Sequence, residues 1–245
     1  MRIAVSGTYS TGKTTTTEAL ALITGIPRTQ ARTMREILPE AVPGKNLEAC
    51  SSAELIQLGI RRFKERAINE ALAGPDFLSD GSSLHEWVYG QARLETGINP
   101  ALGSVRQELT KLATWPRRRY FAEVLDQFGR VVKQHAQTEY DEFIHLPIEF
   151  PLLKDGHRPV SERFRYLSDR LLLRTLVELG IPHRVISGDL ETRLEKILAY
   201  YPLPRRMPVR QAIRRAQARL EAQGLNTPGV LSQGRANPDS PNHPT

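Results

Sequence analysis

Gly7-Thr8-Tyr9-Ser10-Thr11-Gly12-Lys13-Thr14 is a complete Walker A sequence. Its chemistry is phosphate binding. A tight turn at this spacing exposes successive backbone amides to phosphate oxygens. A helix that starts at its end adds unpaired N-terminal amides and the positive end of its dipole. Lys13 is placed to reach the β- and γ-phosphates, and the hydroxyl of Thr14 to ligate Mg²⁺. The cofactors predicted are therefore ATP and Mg²⁺. A glycine-bearing turn with a solvated lysine is the bland alternative, and it leaves the full pattern unexplained.

Three further groups carry possible chemistry. Asp80 closes the short apolar run DFLSD. A carboxylate at the end of a core strand can orient an acceptor hydroxyl and take its proton, ligate the metal, or cap the helix that follows. Gly81 allows close approach of a substrate or relieves the turn. Arg158, Arg163, Arg165 and Arg170 follow a Pro- and Gly-containing stretch and run into a helix. Arginines on a lid can clamp phosphates and neutralise charge during transfer, or simply make a charged surface. Arg163 and Arg170 fall near one helical face and Arg165 points elsewhere, while Asp155 and Asp169 offer ion pairs within the segment. Trp87 and Tyr89 could line a base pocket near Asp80 or pack in the core.

The elements that must position these groups alternate. Residues 2–6 read as a buried strand, and a helical pattern from Thr14 stops at Gly25. A weak second strand spans 26–30. Pro39, Pro43 and Gly44 break the next segment into a short helix and a loop. Ser51 and Glu54 have capping-box spacing, opening a helix over 51–73 that Gly74-Pro75 ends. Strand 76–80, a helix over 82–98, a helix framed by Pro100 and Pro116, and a helical run over 121–135 follow. Strand 142–146, helix 161–179, strand 183–187 and a helix capped by Asp189 complete the pattern. Strand alternating with helix predicts an α/β fold whose parallel sheet is covered on both faces. Beyond Pro202, residues 208–223 form a basic amphipathic helix with Val209, Ile213, Ala216 and Leu220 on one side. Residues 224–245 read as a disordered tail rich in Pro, Gly, Asn and Ser. The expected organisation is a P-loop domain over 1–201, a helical extension over 202–223 and the tail.

Composition narrows the classes. At 40% hydrophobic over 245 residues, one ordinary α/β domain is expected. The net charge of +7 suits phosphate-bearing substrates and nucleic acid alike. The single cysteine, Cys50, forms no intrachain disulfide and cannot build a zinc cluster, and the six histidines show no metalloprotease spacing. The short apolar start is not a signal peptide and no run has transmembrane length, so a cytoplasmic protein without a membrane partner is expected.

On these residues the chain resembles the NadR-like nucleoside kinase family of P-loop ATPases, which includes the kinase domain that phosphorylates nicotinamide riboside. The resemblance runs from Met1 to about Tyr201. It rests on GTYSTGKTT (Gly7 to Thr15), PRTQARTMREIL, FLSDG (77–81) and DGHR (155–158). It implies a nucleoside-kinase-like fold with a five-stranded parallel sheet and a helical lid. The resemblance also implies that the whole loop through Thr15 binds nucleotide and that Arg32 belongs to the substrate site. Asp80 would be the family aspartate, with Arg158 and Arg163 as lid arginines. Gln30 stands where the family carries an acidic residue before Ala31-Arg32, and Gly81 and Ser82 stand where it commonly has threonine. The function expected is ATP-dependent phosphoryl transfer to a hydroxyl of a small nucleoside or nucleotide, and a homodimer is compatible with it. A kinase acting on nucleic-acid ends and a partner-regulated ATPase or nucleotide switch are the alternatives. The basic helix over 208–223 motivates both, but no nucleic-acid-binding module accompanies it.

Overall fold

The computed structural model describes residues 1–96, 115–151 and 161–224. Its elements in chain order are β1 (Arg2–Ser6), α1 (Lys13–Thr24), β2 (Arg28–Thr29), α2 (Met34–Ala41), α3 (Ser52–Ala73), β3 (Phe77–Asp80) and α4 (Leu84–Thr96). Then come α5 (Trp115–Glu139), β4 (Glu142–His145), α6 (Glu162–Glu178), β5 (His183–Val185), α7 (Leu190–Tyr200) and α8 (Val209–Ala222). The strands form one five-stranded parallel sheet in the order β2-β3-β1-β4-β5.

The sheet sorts its side chains by the two-residue period of a strand. Ala4, Phe77 and Phe143 enter the core shared with α4, α5 and α6. Their chain neighbours Ile3, Val5, Leu78 and Ile144 point the other way, into the core shared with α1, α7 and α8. All of these side chains are almost fully buried, as burial on both faces requires of a parallel strand. A third cluster ties α2 to α3 through Ile37, Leu38, Leu55 and Leu58, and Cys50 lies within it.

Helix starts follow local chemistry. Thr33 with Glu36, and Ser51 with Glu54, form complete capping boxes on α2 and α3. The side chains of Ser161 and Asp189 cap α6 and α7. Gly25 closes α1 in the left-handed conformation at φ 73°. The weak strand over 26–30 contracts to Arg28–Thr29, and Pro39 is absorbed within α2. The helix framed by Pro100 and Pro116 lies mostly outside the described residues, and α5 begins at Trp115.

The C-terminal helix is part of the body. Val209, Ala212, Ala216 and Leu220 of α8 are buried in the same core as Ala19, Leu20 and Ile23 of α1. Ala212 takes the buried place expected for Ile213, which packs only at the edge. The backbone amide of Arg206 donates to the carbonyl of Ile23, fixing the approach to α8. Residues 225–245 lie outside the described set.

The sheet order puts β1 between β3 and β4, with Val5 opposite Asp80 and Ser6 opposite His145. The chain leaves β1 toward one side of the sheet and returns to the other. The carboxyl ends of strands at such a switch point are where ligands bind in open α/β sheets.

Candidate active site

The loop after β1 is held open by backbone conformations that other sequences resist. Gly7, Ser10 and Gly12 all have positive φ, at 138°, 58° and 85°. A Cβ on Gly7 would stand 2.6 Å from the carbonyl oxygen of Leu146, so the position requires glycine. Gly12 is the N-cap of α1 and supplies no side-chain cap. The first-turn amides of α1 therefore face the loop, as an anion site needs. Lys13 is the first residue of α1, and its Nζ donates to the carbonyl of Thr8 at 2.6 Å. Thr14 follows, half-buried. The buried hydroxyls of Thr8 and Thr16 lack hydrogen-bond partners.

This loop fits a triphosphate. Among the described residues no group of three or more His, Cys, Asp or Glu side chains could hold a metal. The hydroxyl of Thr14, at the start of α1, is of the type that could ligate an Mg²⁺ held mainly by nucleotide phosphates and waters.

Buried side chains from distant segments brace the loop. Arg165 of α6 donates through Nε to the Tyr9 carbonyl at 2.8 Å, and through its terminal nitrogens to Phe150 at 2.7 Å and Ser10 at 3.4 Å. Arg193 of α7 donates to the Thr11 carbonyl at 2.6 Å and to Glu149 at 2.5 Å, and Glu149 also accepts from the Gly188 amide. His85 of α4 meets the Gly7 carbonyl through Nε2 at 2.9 Å, while its Nδ1 accepts from the Ser82 amide at 3.0 Å. That pairing requires a neutral ring with its proton on Nε2. Burial, reinforced by the charge of Lys13, pushes the His85 pKa well below the ordinary histidine value. At the other flank His145 contacts the Ser6 hydroxyl through Nδ1 at 3.2 Å and stands 3.2 Å from Asp169. Tyr9 stacks on Tyr89 with ring centroids 4.8 Å apart.

Asp80 ends β3 beside the loop. Its carboxylate accepts from Arg28 at 2.8 Å and does not cap α4; both side chains are only about a tenth exposed. Arg28 also donates to Glu18 at 2.9 Å and to Gln30 at 2.5 Å. Behind Asp80, the guanidinium of Arg66 donates to its carbonyl at 3.2 Å and to Ser79 at 2.9 Å. Ser79 and Tyr140 in turn donate to Glu70, at 2.5 and 2.8 Å. Gly81 has φ 89° and a Cβ there would stand 3.2 Å from Arg66, so the turn itself calls for glycine.

The other sequence candidates separate. Gly7 to Thr15, Lys13, Thr14 and Asp80 come together at the carboxyl ends of β1 and β3. Arg32 does not join them. It is half-exposed and paired with Glu65 and Glu40, and it is Arg28 that meets Asp80. Trp87 packs in the core, buried between α4 and α5, with Lys133 over its ring at 4.0 Å and Gly129 against its indole nitrogen. Arg163 and Arg170 are exposed on α6, while Arg165, the residue read as pointing elsewhere, is the one that reaches the loop. Arg158 and Asp155 lie outside the described residues. A surface groove of about 420 Å³ is lined by Ile23, Arg205 and Arg206, at the end of α1 remote from the P-loop.

Arg28, His85 and Arg193 were not singled out by sequence reasoning, and Arg165 was named among the lid arginines only as pointing away from the others. One signal was available for two of them. Arg165 and Arg193 sit on the apolar stripes of their helices, among Phe164, Ser168 and Leu172, and beside Leu194 and Ile197. A charged side chain rarely occupies such a stripe unpaired.

A family model described as an AAA domain (AAA_28) matches residues 2–193, and the chain belongs to that family. Among curated proteins, none matches by sequence. Solved structures agree in fold. The deoxyadenosine kinase of M. mycoides with bound dATP superposes with a TM-score of 0.55 at 14% identity, over 82% of this chain and 98% of that one. The NadR protein in complex with NR superposes with a TM-score of 0.56 at 17% identity, over 84% of this chain and 54% of that one. The fold is thus an α/β P-loop NTPase fold shared with these two proteins, and the NadR-like resemblance holds at the level of architecture. Among the described residues no helix is long and apolar enough to cross a membrane.

Proposed function

We propose that this chain is a kinase that transfers the γ-phosphoryl group of ATP to a hydroxyl of a nucleoside or nucleotide, with Mg²⁺. One observation carries the reading. The phosphate loop and the Asp80 carboxylate stand at the ends of neighbouring strands, in the Val5–Asp80 register, so donor phosphate and acceptor hydroxyl would meet between them. The deoxyadenosine kinase and NadR likenesses support it as analogy of fold.

The first-turn amides of α1 hold the β- and γ-phosphates. Lys13 leaves the Thr8 carbonyl to neutralise the transferring group. Thr14 would hold Mg²⁺, which when bound would supply charge neutralisation at the phosphates. Asp80, oriented by Arg28, accepts a hydrogen bond from the acceptor hydroxyl and then its proton. The acceptor oxygen bonds to the γ-phosphorus as the bond from that phosphorus to the bridging oxygen breaks, and ADP leaves with that electron pair. Arg165 and Arg193 act on the loop backbone, not on substrate.

The test is a panel of nucleosides and nucleotides with γ-labelled ATP, read by label in the product. Transfer to at least one small acceptor is expected. Label appearing only on oligonucleotide ends, or only as free phosphate, overturns the proposal.

A further inference from the structure

The turn that carries the chain from Asp80 into α4 is held from behind by one buried carboxylate. Glu70 of α3 is almost fully enclosed, and its Oε1 accepts from the Ser79 hydroxyl at 2.5 Å and from the Tyr140 hydroxyl at 2.8 Å. Arg66, one helical turn earlier and just as buried, stands 3.8 Å from that oxygen. The other oxygen makes no hydrogen bond, and His135 of α5 stands 3.7 Å from it. Burial, with Glu70 beside it, pushes the Tyr140 phenol above its ordinary pKa, so it keeps its proton and donates.

The partners of Glu70 also hold the turn. One nitrogen of Arg66 donates both to the Ser79 hydroxyl and to the Asp80 carbonyl. The Tyr140 hydroxyl accepts from the Ser83 amide at 3.2 Å. Both ends of the turn, Asp80 and Ser83, are thus tied to side chains that meet at Glu70. Between them, the Gly81 amide donates to the Val5 carbonyl at 3.0 Å, and the Ser82 amide to His85, which also meets Gly7. The turn is thereby fixed against the phosphate loop. The two-residue period of β3 sends the Ser79 side chain to the face opposite the Asp80 carboxylate. The grip therefore acts on backbone and leaves the carboxylate oxygens to Arg28 and the acceptor.

Stability alone is a poor account of this cluster. Burying an ion pair is costly, and well-packed apolar side chains of similar volume often serve a core as well or better. What apolar side chains cannot do is hold a carbonyl, a hydroxyl and an amide at fixed positions. We infer, resting on the kinase reading above, that Glu70 is a positioning residue for the transfer: through Arg66 and Tyr140 it fixes the Asp80 turn, and with it the aim of the Asp80 carboxylate at the acceptor hydroxyl. Its effect on transfer passes through Asp80 and leaves ATP binding alone.

The experiment makes Glu70→Gln in the parent and in Asp80→Asn, and measures transfer from labelled ATP, ATP affinity and melting in all four proteins. Glutamine keeps the size and an acceptor oxygen but removes the charge that anchors Arg66. Misplacing a reacting group by about 1 Å can cost about 10²-fold, so kcat in the parent background should fall about 10- to 100-fold. The acceptor KM and ATP affinity should stay within about threefold, the split expected when only transition-state aim is lost. In the Asp80→Asn background the same change should cost less than about threefold, because the aim it disturbs is already gone. If Glu70→Gln fails to fold, Tyr140→Phe, which frees the Ser83 amide and leaves Glu70 with Arg66 and Ser79, should give the same pattern at smaller size. Equal losses of rate in the two backgrounds overturn the inference, as does a loss confined to melting or a fall in ATP affinity that accounts for the lost rate. A parent protein that transfers to no acceptor refutes the kinase reading, and the positioning role falls with it.

Discussion

Replacing Asp80 by asparagine separates its chemical role from its structural one. The side chain keeps its size, but it can no longer take a proton, and Arg28 loses one of its two carboxylate partners while keeping Glu18. Breaking a buried ion pair from one side costs about 3–5 kcal/mol. Because Arg28 stays paired, the loss here should be about 1–2 kcal/mol, or roughly 2–8 °C in melting temperature for a chain of this size. The catalytic effect is of another order. A general base contributes about 10²–10⁴ in rate, and Asp80→Asn should lose at least the lower figure. ATP affinity should scarcely change, since the loop and its braces are untouched. Melting, ATP affinity, Mg²⁺ dependence and transfer rate are measured on one preparation. Arg28→Gln is the control. If Asp80 serves only to pair Arg28, Arg28→Gln, which also loses Glu18, costs at least as much stability as Asp80→Asn, and transfer stays within a few-fold of normal in both. That outcome would refute the base assignment, and a shifted Mg²⁺ requirement would recast Asp80 as a metal ligand.

Lys13→Ala should cut transfer by at least about 10²-fold with little change in melting, because the lost ammonium neutralises the transferring phosphate; normal turnover would remove Lys13 from the mechanism. Gly7→Ala combines a positive φ with a contact 2.6 Å from the Leu146 carbonyl, and should cost about 3 kcal/mol, seen as a melting temperature lower by roughly 6–12 °C, together with nucleotide binding. His85 binds its proton less readily folded than unfolded, so its contribution is complete above pH 6.5 and is lost on acidification below it, by up to about 1.4 kcal/mol per pH unit. His135, whose pKa burial also lowers, adds a loss of the same sign, and denaturant titrations from pH 7 to 5 should show a shallower slope in His85→Gln than in the parent. Removing residues 225–245 should leave melting and transfer unaltered, since that sequence offers few core anchors; loss of either would show that it packs on the body or serves the site.

What the sequence made legible was whatever depends on near neighbours. The P-loop, its flanking strand and helix, the capping box at Ser51 and the cap at Asp189 are each encoded within a few residues, and all are present. The parallel sheet followed from alternation of strands and helices. The braces were not legible, because each joins the loop to a residue far along the chain. Arg165 and Arg193 reach back across 156 and 182 residues, and His85 across 78. Arg28 and Arg32 flank the same short strand end, and only its register against β3 decides which of them faces Asp80. Trp87 failed for the same kind of reason. Proximity to Asp80 in sequence did not reveal that its helical face turns to α5.

The charges around Asp80 bear on how the proposed transfer would work. Arg219 of α8 donates to Glu18 at 3.0 Å, Glu18 accepts from Arg28, and Arg28 donates to Asp80. Positive and negative groups alternate along this chain, so it balances its own charge while restricting each side chain in turn. If phosphoryl transfer passes through a loose transition state, the acceptor oxygen bonds late and sheds its proton late, so part of the rate that Asp80 supplies comes from positioning. What the reaction then asks of Asp80 is aim: a fixed oxygen that orients the hydroxyl toward phosphorus and receives the proton after the bond forms. The far end of that aiming chain is Arg219, beyond the 2–193 span of the family match. The burial of α8 on α1 therefore has a consequence at the site as well as in the core, because it seats the arginine that holds Glu18.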